Sequence, residues 1–259
     1  MNLPPLVPAR LGVNIDHVAT LRQLRGTSYP NLLDAAHAVD RAGGHQITVH
    51  LREDRRHIQD ADVFALRKHS KLPLNLEMAM SEEMLRIAKK VAPDWVCLVP
   101  EKRKELTTEG GLNLARGKKS LASGIAQLKK AKIRVSLFIE PSCEVVQLSH
   151  ELGADAVEFH TGKYCRAAQG EFGRKSKLVA AQQLKQLKAS AELAHSLGLH
   201  AHAGHGFDYE NLKPVADLQT LDQVSLIEEF NIGHAIVCRA VFVGLEQAVR
   251  EMVSLIQAP

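Results

Sequence analysis

The sequence predicts an α/β protein built as a single (β/α)8 TIM barrel. Three observations carry this. Eight short apolar runs alternate with helical stretches, and such alternation implies a parallel sheet. The runs end in polar or titratable groups at Asp16, His50, Glu77, Glu101, Glu140, Glu158 to His160, His205 and His234, as expected where strand ends converge on one mouth. The chain has 259 residues with no composition break or linker, a length at which a barrel closes as one domain. Residues 1–259 are therefore expected to form one domain, with its active site at the C-terminal ends of the strands. An open doubly wound sheet is the alternative, but no G-x-G-x-x-G follows the first run.

The elements follow in order. From Leu11, apolar Val13 and Ile15 alternate with Asn14 and Asp16, a strand ending in Asp16-His17. Thr20 to Tyr29, with Arg22, Arg25 and Gly26, reads as a loop rich in donors. Asn31 then caps a helix whose stripe is Leu32, Ala35, Ala36, Val39 and Ala42, stopped by Gly43-Gly44. Ile47 to His50 is the second strand and runs into the charged segment Arg52 to His57. Asp60 opens a helix carrying Val63 and Leu66. Leu74 to Glu77 is the third strand, followed by a helix capped by Ser81, with Glu82 and Glu83 against its positive end. Trp95 to Val99 leads through Pro100-Glu101-Lys102-Arg103 to a loop with Thr107, Thr108 and Gly110-Gly111, which reads as a mobile lid. A helix holding Ile125 and Leu128 comes next. Val135 to Ile139 ends at Glu140, and Ser142 caps a helix closed by Gly153. Ala156 to His160 leads to a polar connection, Lys163 to Lys177, and a helix through Gly198. Leu199 to Ala203 ends in Gly204-His205-Gly206, and Phe230 to Val237 precedes a last helix from Gly244 to Ile256.

Composition bounds the function. Lys plus Arg is 33 against Asp plus Glu 29, a formal charge of +4. That is too weak and too evenly spread for nucleic acid, but it suits small anionic substrates. The cysteines, Cys97, Cys143, Cys165 and Cys238, form no C-x-x-C pair and read as buried free thiols. No stretch is long enough to cross a bilayer, and MNLPPLVPAR lacks the apolar run of a signal peptide. A cytoplasmic, non-membrane protein is expected.

Three features carry chemistry. His50, Glu77 and His205, on strands two, three and seven, can move protons both ways near neutral pH. The glycine-flanked ends Gly204-His205-Gly206 and Asn231-Ile232-Gly233-His234 let backbone N–H groups approach a phosphate. Arg25, Arg52, Arg55, Arg56 and His57 supply cations matched to phosphate oxygens. Lys102 is the single lysine at a strand end, so an enzyme-lysine Schiff base is disfavoured. The alternative is a metal-dependent barrel aldolase or hydrolase acting on a phosphorylated small molecule, with His50, Glu77, His205 and His234 as ligands. A non-catalytic phosphosugar sensor would keep the pocket without turnover. His200 and His202 have metal-like spacing but lie at the start of strand seven, away from the mouth, where a structural role is expected.

The motifs N-I-D-H at 14–17, T-V-H-L-R-E-D-R-R-H-I at 48–58, N-L-E-M-A at 75–79, L-V-P-E-K-R at 98–103, T-T-E-G-G at 107–111, H-T-G at 160–162, A-G-H-G at 203–206 and N-I-G-H-A-I at 231–236 resemble those of the pyridoxine 5′-phosphate synthase family. The resemblance spans nearly the whole chain. It implies a transferase of vitamin B6 biosynthesis that condenses 1-deoxy-D-xylulose 5-phosphate with 3-amino-2-oxopropyl phosphate, giving pyridoxine 5′-phosphate, inorganic phosphate and water. It implies acid/base roles for His50, Glu77 and His205, and charge stabilisation by Glu158. It implies that Asn14, Arg25, Gly206, Gly233 and His234 hold the amino-ketone phosphate, and that Asp16, His17, Arg52, His57 and Thr107 hold the deoxyxylulose phosphate. It also implies no cofactor, no metal, an octamer and a closing loop after strand four. Against the family pattern, the N-terminus, 163–177 and 217–229 are extended, and His202 stands where asparagine is expected. Glu53, Asp54, Arg55 and Arg56 are expected to orient their loop by mutual pairing.

Overall fold

Alternation along each strand sends apolar side chains out toward a ring of helices and polar ones into the barrel. A computed structural model describes residues 8–101, 105, 110–220 and 224–257. The elements are β1 (Arg10–Asn14), α1 (Asp16–Arg25), α2 (Leu32–Arg41), β2 (Gln46–His50), α3 (Asp60–His69), β3 (Leu74–Met78), α4 (Glu82–Val91), β4 (Trp95–Leu98), α5 (Lys118–Lys130), β5 (Arg134–Ile139), α6 (Cys143–Glu151), β6 (Ala156–His160), α7 (Gly162–Ala168), α8 (Ser176–Ser196), β7 (His200–Gly204), α9 (Lys213–Ala216), β8 (Glu229–Ile232), α10 (His234–Val243) and α11 (Leu245–Gln257). All neighbouring strands are parallel, and β8 closes onto β1 from Arg10↔Glu229 to Val13↔Ile232. The fold is a single (β/α)8 TIM barrel. Among the described residues no helix is long and apolar enough to cross a membrane.

The core lies between strands and helices. Leu11, Val13, Ile47, Val49, Leu74, Leu76, Val135, Leu137 and Phe159 are fully buried there, against Leu32, Ala36, Val39, Val63 and Leu66 from α2 and α3. Each of the Leu, Ile, Val and Phe side chains contributes about 1.5–3 kcal/mol on burial. The caps read from sequence at the first helices form: Asn31 Oδ1 accepts from the Leu33 N–H at 2.8 Å, and Ser81 Oγ from the Met84 N–H at 3.4 Å. Ser142 occupies the same position on α6 without a side-chain bond.

The inner face is polar, and its contacts cross the lumen. Thr48 Oγ1 donates to Asn231 Oδ1 at 2.8 Å, Asn231 Nδ2 to Glu158 Oε2 at 2.9 Å, and Gln46 Nε2 to Glu229 Oε1 at 2.6 Å. Buried polar atoms need such partners, and here strands one place apart around the barrel, β2 with β8 and β6 with β8, supply them. Gly12 makes room: a Cβ there would stand 2.2 Å from Asn231 Oδ1. At the floor, His202 is buried edge-on against Trp95 at 5.3 Å, and burial holds its pKa down at about 3. His200 is exposed and pairs with Glu228 at 2.8 Å. Both lie away from the mouth, where a structural role was expected.

Four expectations are corrected. Thr20 to Arg25 is not loop but part of α1: Asp16 in its first turn and Arg22 and Arg25 in its last complement the dipole, and Gly26 ends it at φ 60. The polar connection from Lys163 is mostly helical, running through α7, a 3₁₀ turn at Gly173–Lys175 and the start of α8. The eighth strand ends at Ile232, and His234–Val243 is helix α10. A short apolar run cannot distinguish the two structures by periodicity, and here Gly233 breaks the strand. Cys97 and Cys165 are buried, but Cys143 and Cys238 are exposed; all four are free thiols.

Candidate active site

At the C-terminal ends of the strands lies an open cavity of about 830 Å³. Of the residues expected at the site, Asn14, Asp16, His17, His50, Arg52, Glu77, Glu158, His205, Gly206, Gly233 and His234 line it. Arg25 is exposed on the last turn of α1 and is not among the lining residues. His57 is set back beside His50, ring centres 6.3 Å apart. Thr107, Lys102 and most of the expected lid lie outside the described residues.

His50 ends β2 and is held from two sides. Its backbone N–H donates to Asp16 Oδ1 at 2.8 Å, and its Nε2 lies 2.9 Å from Glu101 Oε1. A carboxylate only accepts, so Nε2 carries the proton and Nδ1 is left as a base. Nδ1 sits 3.9 Å from Glu77 Oε2. Glu101 also accepts from the Glu53 N–H at 3.0 Å. Burial works against its charge, but the bonds from His50 and Glu53 outweigh it and hold the Glu101 pKa below the usual carboxylate range.

The other carboxyls are shifted the opposite way. Burial, reinforced by the charges of Glu158 and Asp16, raises the pKa of Glu77 well above the ordinary value against an opposing bond from Asn14. Burial and then Glu229 raise Glu158 to about 8. Burial lifts Asp16 to about 6 despite the hydrogen bond from His50. Burial thus favours the protonated form of Glu77 and of Glu158, and Glu77 lies 3.9 Å from Nδ1 of His50, an acid beside a base as general catalysis requires.

His205 follows β7 at φ 73 with Gly206 at φ 96. The left-handed conformation is strained for a histidine. Thr161 holds the turn, its Oγ1 lying 2.8 Å from the carbonyl oxygens of both Gly204 and His205. Burial, then the charges of His160 and Arg166, lower the His205 pKa to about 4. His57 is likewise lowered to about 4, chiefly by burial; its Nδ1 accepts from the Ile58 N–H at 2.8 Å, leaving Nε2–H as a neutral donor. His234 opens α10 after Gly233, where no side chain caps the helix, so its first N–H groups face the cavity as an anion site. His17 packs edge-on against His234 at 5.0 Å.

Arg52 lines the cavity with Nε 3.4 Å from Asp54. In the charged loop, Arg56 pairs with Asp54 at 2.6 Å. Arg55 instead reaches out to Asp60 and Glu83 and binds the carbonyl oxygens of Arg52 and Glu53. Mutual pairing therefore describes Asp54 and Arg56, while Arg55 ties the loop to α3 and α4.

The metal-ligand set considered from sequence does not assemble. Among the described residues, ligand atoms of Asp16, His50 and Glu77 come within 4.8 Å of one another, without His205 or His234. Asp16 already accepts from the His50 N–H and Asn14 Nδ2, Nε2 of His50 is engaged by Glu101, and burial favours the protonated form of Glu77. This donor set suits proton transfer better than a cation, whose ligands must be deprotonated. Further lining or adjoining groups received no role from sequence, Glu101 and His160 among them. Both were visible there as polar groups at or just past a strand end.

Polar strand ends around an anion-binding mouth define the class: a TIM-barrel enzyme of acid/base chemistry on phosphorylated substrates. A family model described as "Pyridoxal phosphate biosynthesis protein PdxJ" matches residues 11–258, and the chain belongs to that family. It is 53% identical over 245 residues to pyridoxine 5′-phosphate synthase of Bdellovibrio bacteriovorus, covering 94% of this chain and 96% of the relative. It is 52% identical over 248 residues to the enzyme of that name from Syntrophotalea carbinolica, covering 96% and 98%. Among solved structures, 3-keto-L-gulonate-6-phosphate decarboxylase from Vibrio cholerae superposes with a TM-score of 0.62 at 12% identity, over 96% of this chain and 98% of that one. That likeness concerns the fold alone.

Proposed function

We propose that this chain is a pyridoxine 5′-phosphate synthase, condensing 1-deoxy-D-xylulose 5-phosphate with 3-amino-2-oxopropyl phosphate to pyridoxine 5′-phosphate, with release of inorganic phosphate and water. Beyond its family, one observation carries the reading: His50, with Nε2 on Glu101, turns Nδ1 toward Glu77 at 3.9 Å, a carboxyl whose protonated form burial favours, in an open mouth of about 830 Å³. The amine comes from one substrate and the ketone from the other, so the imine needs no enzyme lysine and no cofactor. His50 removes protons from carbon and nitrogen, Glu77 returns them to oxygen as water leaves, and His205 protonates a leaving oxygen. Glu158, in hydrogen-bond contact with Asn231, stabilises charge as the ring closes.

Two phosphates need two anion sites. The N-terminus of α10 with Gly233, His234, Gly206 and Asn14 suits the amino-ketone phosphate. Arg52, with Asp16 and His17, suits the deoxyxylulose phosphate. The chain would work as a homo-oligomer, an octamer by family resemblance; the exposed apolar side chains Leu24 (76%), Tyr29 (70%), Val241 (72%) and Phe242 (84%) support self-association. A cytoplasmic location agrees with four free thiols.

The test mixes both substrates with the protein and follows the pyridine absorbance and free phosphate. Turnover lost in both His50→Asn and Glu77→Gln, by about 10²–10⁴-fold, supports the assignment. Near-normal turnover in either, or activity abolished by chelation and restored by metal, would sink it.

A further inference from the structure

In the synthase reading His205 must give up a proton, yet its surroundings disfavour holding one. The group beside it is better placed. His160 ends β6, is 7% exposed, and lies with Nδ1 3.0 Å from Glu140 Oε1 at the end of β5. Its ring centre is 4.8 Å from that of His205, tilted by 53°. Glycines bring the rings together: a Cβ on Gly162 would stand 2.8 Å from His160 Nε2 and 3.3 Å from His205 Cδ2, and one on Gly110 2.9 Å from His160 Cε1. Phe138 walls off both rings, at 5.3 and 6.2 Å. Glu140 Oε1 also accepts from the Gly111 N–H at 2.8 Å, which fixes the carboxylate that grips His160.

We propose that His160, gripped by Glu140, stores the proton that His205 delivers, so that the two imidazoles act as one acid. Glu140 takes the Nδ1–H of His160, and Nε2 bears the second proton while the pair is charged. His160 Nε2 passes the stored proton to one ring nitrogen of His205, directly or through one water, as the other ring nitrogen gives its own proton to the leaving oxygen; an N–H bond breaks and an O–H bond forms at that end, and the pair ends neutral. Solvent, or the proton His50 has removed from substrate, recharges it. Among the described residues, Glu140 after β5 and Arg166 on α7 bear on the pair, and the titratable Glu158 on β6 and Asp208 after β7 line the same cavity. His160 is on this account a positioning and proton-storing residue rather than one that bonds substrate.

This rests on the synthase reading, and the test separates the two. Wild type, His160→Asn and the isosteric Glu140→Gln are compared in full-chain form. Steady-state kinetics with both substrates run across the neutral range, and histidine C2 hydrogen–deuterium exchange, read by mass spectrometry, reports protonation of each ring without turnover. The expected result for His160→Asn is a kcat fall of about 10-fold or more with KM changed little, and a displaced acid limb of the kcat profile. Glu140→Gln gives a smaller shift in the same direction. Exchange should show His160 becoming charged before His205 as pH falls, and His205 becoming charged more readily once His160 is gone. A kcat close to wild type, a fall with an unchanged pH profile, or exchange showing His205 charged first would each overturn the proposal. Absence of wild-type turnover would count against the synthase reading, while the order of charging still decides the proton pair.

Discussion

Nε2 of His50 and Oε1 of Glu101 lie 2.9 Å apart, 51 residues apart in sequence, and this contact decides which imidazole nitrogen faces the reactants. Glu101→Gln should let the ring take either tautomer, because an amide can donate as well as accept. We expect kcat to fall about 10- to 100-fold with KM little changed, and Glu101→Asp, too short to reach, to behave similarly. Steady-state kinetics with both substrates check this; a loss confined to KM would contradict it.

His234 opens a helix whose first turn lacks a side-chain cap. His234→Ala should raise KM for the amino-ketone phosphate about 10-fold, equivalent to about 1.4 kcal/mol, and leave kcat within a small factor. Calorimetric titration with inorganic phosphate should show the same weakening. Unchanged phosphate binding would move the anion site elsewhere.

Glu158 gives a pH dependence with a definite sign. Its pKa is raised by burial from the ordinary 4.5 to about 8, so between these values the folded state keeps a proton that the unfolded chain releases. The stability this supplies is full below 4.5 and is lost as pH rises through about 8. Glu158→Gln, permanently neutral, should therefore gain thermal stability relative to wild type as pH rises from acid to mildly alkaline. Melting curves across that range test it; a gap that closes as pH rises would show that Glu158 is ionised in the folded protein.

Gly12 keeps the lumen network intact. A methyl group there would stand 2.2 Å from Asn231 Oδ1 and 3.4 Å from Thr48 Oγ1, forcing the bond between them apart. Gly12→Ala should cost about 1–3 kcal/mol, read as a lower denaturation midpoint with an unchanged denaturant slope.

The alternation of eight apolar runs with helices was enough to determine a closed parallel barrel, and each polar strand end named one sector of its mouth. That is why His50, Glu77, Glu158 and His205 could be gathered from distant positions before any geometry was known. The direction of the polar faces was less legible. Alternation along β1, β2 and β8 is the same whether its polar side meets water or a lumen, and only barrel closure pairs Thr48 with Asn231 across 183 residues. The first turn of α10, through Val237, read as strand because Ala235, Ile236 and Val237 continue the apolar run, and a backbone break at Gly233 rather than periodicity separates it from β8. Glu101 and His160 were visible as strand-end groups, but their roles depend on hydrogen-bond distances to His50 and Glu140 that no spacing encodes. Residue type and order determined which groups reach the mouth; tertiary packing decided which of them are neutral, because burial and neighbouring charge exist only once the barrel is closed.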